Sequence, residues 1–457
     1  MNWIQLFHPQ RLGRPATAAT ADNRHAFQRD FDRIIFSSAF RRLQDKTQVF
    51  PLSESDYVRT RLTHSLEASC VGRSLGEMAG AGLLQAGVAL PEGFHPSQTG
   101  AIVAAASLAH DIGNPPFGHT GESAIAHWFT TEPVGQKVIA DLQGEGACAE
   151  DFLRFEGNAQ GFRVLTRLQH AENPGGMQLT LPTLATYMKY PRGAALKTLP
   201  AGTRKSVRKH GFFACDAELY GEVADGLGLL RRPVPEPCYA RHPLAFLVEA
   251  ADDICYHVAD LEDGFRLKLL GEDETAALLT AVVLDEKTKA RADQRTGTTR
   301  IEYLRAQAIG SLVQQAADVF LANRDAILAG TFDEALVDHI PAAAAFAGLF
   351  EAARDKVYPA RQVLLIEVAG FNVLGRLIEL FLGALNERAI KGRKASLKSD
   401  RTQRLLPAQF LAAGKGDPAA MSLYERTLAV TDFVSCMTDT YAVSLFKKLT
   451  GISLPGE

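Results

Sequence analysis

The sequence predicts an all-α protein, and three observations carry that expectation. Leu, Ala, Val and Phe recur at three- and four-residue spacing over most of the 457 residues. Strand-like alternation is confined to Met177 to Leu181 and Gly211 to Ala214, enough for at most a small β-hairpin. Turn signals fall between the periodic stretches.

The spacing predicts helices over 61–87, 99–110, 158–171, 243–265, 273–292, 301–328, 343–357, 360–390 and 421–449. The second must stop before Asn114-Pro115-Pro116, because proline disfavours a helical residue ahead of it and lacks its own N–H. Glu172-Asn173-Pro174-Gly175-Gly176 is a turn cluster. Arg231 to Pro243 holds four prolines and ends with Pro243 in the first turn of a long helix. Gly392 to Leu406 is polar, with Arg393, Lys394, Lys398, Arg401 and Arg404. A solvated loop is its default reading, a subunit contact or nucleotide site the alternatives. No linker is long enough to separate domains, so residues 1–457 are expected to form a single helical body.

Composition narrows the function. Forty-nine Lys+Arg against 52 Asp+Glu give a net charge of −3, which excludes a histone-like polycation but leaves room for a local basic pocket. No apolar run approaches the ~18 residues of a membrane span; Ala101 to Ala109 comes nearest. Met1-Asn2-Trp3-Ile4-Gln5 has neither the basic start nor the apolar core of a signal peptide. Six cysteines without a C-x-x-C pair fit reduced thiols in a cytoplasmic protein.

Three segments carry chemistry: Arg59 to Glu67, Ser107 to Glu122, and Glu249 to Asp260. His110-Asp111 ends an Ala-rich helix that is apolar nearly all round and therefore buried. A carboxylate there meets the negative end of the helix dipole and needs a cation, which a metal ion supplies. Asp252, Tyr256 and Asp260 form one helical stripe beside the apolar stripe Leu247, Ala251, Ile254, Val258, Leu261 and Phe265. A solvated acidic face is the ordinary reading of such residues and suits Glu262 and Asp263. For Asp252 the metal is favoured, with Asp253 as its competitor.

His64, His110-Asp111 and a late Asp make an H…HD…D pattern that resembles the HD-domain metal-dependent phosphohydrolases. The resemblance extends to the deoxyguanosinetriphosphate triphosphohydrolase branch through Phe40 to Phe50, His110 to Glu122, Glu156 to Arg163, Glu249 to Asp263 and Asp432 to Asp439. These matches run in order from about residue 27 to residue 445. The family likeness implies an HD-domain catalytic core over 27–270. A C-terminal helical region, 271–457, would complete the nucleotide pocket and make oligomer contacts.

By resemblance, His64, His110, Asp111 and Asp252 are the metal ligands. That N/O set suits Mn²⁺, Fe²⁺, Co²⁺ or Ni²⁺ better than Mg²⁺, which can still arrive with the triphosphate. His119 and Glu122 match a proton-handling dyad, and physically Glu122 can hold the tautomer while His119 moves a proton. Capping of a helix by Thr120 and Glu122 is the competing or coexisting reading. Tyr256 and Asp260 match residues lining the sugar, and Gln48 one that contacts the 3′-hydroxyl. Arg61, on the helical face of His64, matches the family's phosphate-contacting arginine; Lys189 is a second candidate cation, set against the ordinary reading of a solvated surface charge, and Asn158 a neutral donor.

The activity implied is hydrolysis of dGTP or several dNTPs to 2′-deoxynucleoside and inorganic triphosphate. A homo-oligomer, possible as a hexamer, is implied too, with a nucleotide activator or single-stranded DNA near 391–404. The alternatives are another HD nucleotide phosphohydrolase (a phosphodiesterase or 5′-nucleotidase) and a nucleotide- or DNA-binding regulator.

Overall fold

A computed structural model describes residues 1–15, 25–49, 59–196, 199, 202–203 and 205–453; Phe50, the last residue of the first motif, lies outside them. Among the described residues the architecture is helical, and pairing of extended chain is limited to isolated bridges. The expected hairpin is therefore absent. Thr180 bridges Arg11, and Phe212 bridges Gly193. Thr180 is instead a helix N-cap: its side chain accepts from the Thr183 amide, and its own N–H and hydroxyl bond Asp30.

Eight helices frame the site: α1 (Arg61–Gln85), α2 (Pro96–Ala109), α3 (Gly118–Thr131), α4 (Gly157–Arg163), α5 (Ala245–Arg266), α6 (Arg361–Lys391), α7 (Leu423–Ser435) and α8 (Asp439–Thr450). α1 starts at a reciprocal cap, Thr60 accepting from the Thr63 amide and Thr63 from the Thr60 amide. α2 is buried nearly all round, as its composition predicts. The two pack closely because Gly72, Gly76 and Gly80 of α1 face Ser107, Gly100 and Thr99; a Cβ on Gly76 would lie 2.8 Å from the Gly100 Cα. This approach brings His64 beside His110.

Several predicted helices are divided. α4 widens into a π-turn over Val164–Leu168. The 273–292 stretch forms Glu272–Ala281 and Glu286–Ala292, and 301–328 forms Gly297–Ala322 and Arg324–Leu328. The 421–449 stretch is α7 and α8, separated where Thr438 caps the second.

Among the described residues two large hydrophobic cores stand beside a small third around Leu196, Val207 and Cys238. One packs α1, α2 and α5 with the Gly297–Ala322 and Ala343–Lys356 helices. The other joins α3 and Phe152, Phe155 and Phe213 to α6 and α7, so it draws on both sides of residue 270. No helix of the described residues is long and apolar enough to cross a membrane. All six cysteines are free thiols.

Candidate active site

A cleft of about 520 Å³ opens between the two cores. Its lining includes Gln48, Arg61, His110, Asp111, His119, Asn158, Lys189, Asp252 and Tyr256, brought from six segments of the chain. His64 lies buried behind that wall.

His64, His110 and Asp252 bring ligand atoms within 4.8 Å of one another. The His110 Nδ1 donates to the Ser107 carbonyl at 2.6 Å, which turns Nε2 toward the centre. That buried Nε2 has no hydrogen-bond partner, although Asp252 Oδ1 lies 3.2 Å away. The same Oδ1 is 3.1 Å from His64 Nε2. Two imidazole nitrogens converging on one carboxylate oxygen, one of them orphaned, fit a divalent cation. Asp111 stands beside the trio, its Oδ1 3.5 Å from His110 Nε2. It is oriented by Arg61 Nη1 at 2.7 Å and Asn114 Nδ2 at 2.5 Å.

The two adjacent aspartates differ. Burial works against charge at Asp252, but Lys189 and His110 hold its carboxyl well below the usual range. Asp253 also lines the cleft but stands outside the His64–His110–Asp252 cluster, and burial with the Glu249 and Asp252 charges pushes it up to about 8. Likewise burial opposes ionisation of Asp111, yet Arg61 and His110 keep it far below an ordinary aspartate.

His119 and Glu122 form the expected pair, Nδ1 to Oε2 at 2.8 Å. The capping alternative is not realised: Thr120 donates to Glu367, and the position before α3, Phe117, makes no side-chain cap. Glu122 Oε1 accepts from the Gly157 amide at 2.6 Å. A Cβ at Gly157 would come within 2.2 Å of Asn114 Oδ1 and 2.7 Å of that Glu122 oxygen, so glycine permits this contact. Burial notwithstanding, the His119 hydrogen bond and the Lys209 charge hold Glu122 at about 2.

The remaining predicted residues separate into two sets. Gln48 lines the cleft with its Oε1 buried and unpartnered. Tyr256 lines it too, but Asp260 stands behind the wall, its Oδ2 accepting from Tyr358 Oη at 2.6 Å. Burial pushes Asp260 up to about 8 despite that bond. Lys189 donates to Asp252 Oδ2 at 2.5 Å, and Asn158 Nδ2 to Glu156 at 2.7 Å. Each cation is thus matched by a carboxylate: Arg61 by Asp111, Lys189 by Asp252.

Glu262 and Asp263, expected on a solvated face, are buried. Arg59 binds Glu262 at 2.6 Å and Asp263 at 2.5 Å, and Arg305 binds Glu262 at 2.8 Å. The arginines lie too far away in sequence for helical spacing to reveal them. The basic segment, by contrast, is exposed at Arg393, Lys394, Lys398, Arg401 and Arg404.

Sequence reasoning missed the groups that frame the site. Buried Lys46 donates to the Asn114 and Ser435 carbonyls at 2.5 and 2.9 Å. Asp439 accepts from the Phe117 amide and from Thr47. Phe117 sits at φ 64°, a left-handed conformation that this bond secures. Lys209, bonded to Glu156, and Tyr358 also line the cleft. Lys46 and Asp439 lay within motifs already singled out; Lys209 and Tyr358 carried no local signal.

No protein-family model matches the chain. It is 42% identical to a deoxyguanosinetriphosphate triphosphohydrolase-like protein of Synechocystis sp., over 99% of this chain and 100% of that one. It is 41% identical to a protein of the same description from Pseudomonas aeruginosa, over the full length of both. A deoxyguanosinetriphosphate triphosphohydrolase of Salmonella enteritidis is 31% identical, over 93% of this chain and 94% of its own.

Proposed function

The chain belongs to the deoxyguanosinetriphosphate triphosphohydrolase family of hydrolases, and from that premise we propose metal-dependent hydrolysis of dGTP or several dNTPs to 2′-deoxynucleoside and inorganic triphosphate. The supporting observation is the His64–His110–Asp252 cluster, which reaches through His110 and Asp252 into the cleft that His119, paired with Glu122, also lines.

His64, His110, Asp111 and Asp252 would hold the ion, Mn²⁺, Mg²⁺, Fe²⁺, Co²⁺ or Ni²⁺. When bound, it supplies Lewis acidity toward a phosphate oxygen and neutralises developing charge. His119, with Nδ1 held by Glu122, has Nε2 left to move a proton between the attacking water and the departing 5′-oxygen. Arg61, Lys189 and Asn158 bind the phosphates. The orphaned Gln48 Oε1 accepts from the 3′-hydroxyl, and the Tyr256 ring, with Asp260 braced behind through Tyr358, excludes a 2′-hydroxyl.

We retain 27–270 as the catalytic core, 271–457 as its completion and oligomer surface, and 391–404 as the place for an activating nucleotide or single-stranded DNA. The test is to incubate each dNTP and GTP with Mn²⁺ or Mg²⁺ and separate the products by ion exchange. Deoxynucleoside with intact triphosphate is expected. Monophosphate or pyrophosphate would instead indicate a different phosphohydrolase, and inactivity on dNTP mixtures with single-stranded DNA a binding protein.

A further inference from the structure

Two clefts meet at His119. Beside the large one lies a smaller opening lined by His119, Glu122, Ser123, Phe155, Glu156 and Lys209; His119 and Lys209 line both. Lys209 Nζ is 3.1 Å from Glu156 Oε1 and 3.8 Å from Glu122 Oε2. One ammonium therefore faces two carboxyl groups and sits nearer the one that does not touch His119.

Glu122 is engaged at both oxygens, by His119 at 2.8 Å and by the Gly157 amide at 2.6 Å. Glu156 is anchored by Asn158 Nδ2 at 2.7 Å. Full pairing of Lys209 with Glu122 would set a cation against Oε2 and lower the affinity of the imidazole for a proton.

We propose that Glu156 is a positioning residue for the His119–Glu122 pair: by drawing Lys209 to itself, it reserves Glu122 Oε2 for the imidazole. The inference rests on the proton-handling role proposed for that pair. Burial and the Glu122 charge push Glu156 up to about 7, so acidification weakens the restraint as Glu156 takes a proton and Lys209 turns to Glu122. The other charged or titratable groups around the pair and the lysine are Arg61, whose guanidinium lies over Gly118, Glu367, which binds Thr120, His210, which burial holds neutral, and Tyr187 and Tyr190, which feel the Glu156 charge.

The test reads the His119 ring by NMR during a pH titration of the full chain without substrate. In Glu156→Gln the midpoint is expected to fall by about one pH unit, and in Lys209→Met to rise. Adding Glu156→Gln to Lys209→Met should leave the midpoint where Lys209→Met put it, because Glu156 acts through the lysine. An unmoved midpoint in Glu156→Gln overturns the proposal. So does an equal fall in the Lys209→Met background, which would mean a direct charge effect. If Glu156→Gln does not fold, Glu156→Asp should give a smaller fall, and no fall there is equally fatal. The readout needs no turnover, so a chain that hydrolyses no dNTP yet shows these opposed shifts sinks only the proposed reaction.

Discussion

Arg61 and Asp111 meet across the floor of the cleft, Nη1 2.7 Å from Oδ2, both buried. The arginine comes from the first turn of α1 and the aspartate from just beyond the end of α2, so the pair locks together the two helices that carry His64 and His110. Removing one partner of a buried pair strands the other's charge.

Arg61→Met is therefore expected to destabilise the metal-free protein by about 3 kcal/mol. Urea unfolding should show a smaller loss with Mn²⁺ present, since the ion supplies the missing positive charge. An equal loss in both conditions would place the ion away from Asp111.

Asp252 and Asp253 should separate cleanly in metal binding. Asp252→Asn is expected to weaken Mn²⁺ binding by more than about 100-fold, beyond the effect of losing an orienting contact. Asp253→Asn should leave it nearly unchanged. Titration followed by electron paramagnetic resonance checks both, and the reverse order would exchange their roles.

His119→Gln and Glu122→Gln should each lower kcat by roughly 10²–10⁴-fold, the range for loss of a positioned proton-transfer group. Mn²⁺ affinity should hold, because neither residue touches the His64–His110–Asp252 cluster. A variant that loses metal along with activity would contradict the separate roles.

Acidification should weaken the fold through His242. It is fully buried, its Nδ1 accepting from the Leu244 amide and its Nε2 3.3 Å from the Leu6 carbonyl; burial lowers its pKa to about 4. A histidine with a depressed folded pKa contributes stability that is complete above its unfolded value, about 6.5, and is lost as pH falls toward the folded one. The difference amounts to about 3 kcal/mol between pH 6.5 and 4. Chemical unfolding across that window should show the decline, and His242→Gln should flatten it.

Much of this was legible because helical periodicity is local. The stripe Asp252, Tyr256, Asp260 and the stop at Asn114-Pro115-Pro116 are short-range patterns, and each falls where expected. What escaped was long-range. Nothing near Asp260 announces Tyr358, 98 residues away, which takes its carboxylate. Nothing near Glu262 announces Arg59, so two buried acids read as a wet surface. The strand-like run ending at Leu181 was misleading because Thr180 spends its N–H and hydroxyl on Asp30 rather than on a neighbouring strand.

Lys46 ties the early part of the chain to its last helices. Its ammonium joins the Asn114 carbonyl to that of Ser435, which lies 389 residues after Lys46, and Asp439 clasps the Phe117 turn. The turn that leads to His119 lies in the first third of the sequence, yet the groups that hold it come from the end of α7 and the start of α8, so damage to those two distant helices would be felt at the cleft.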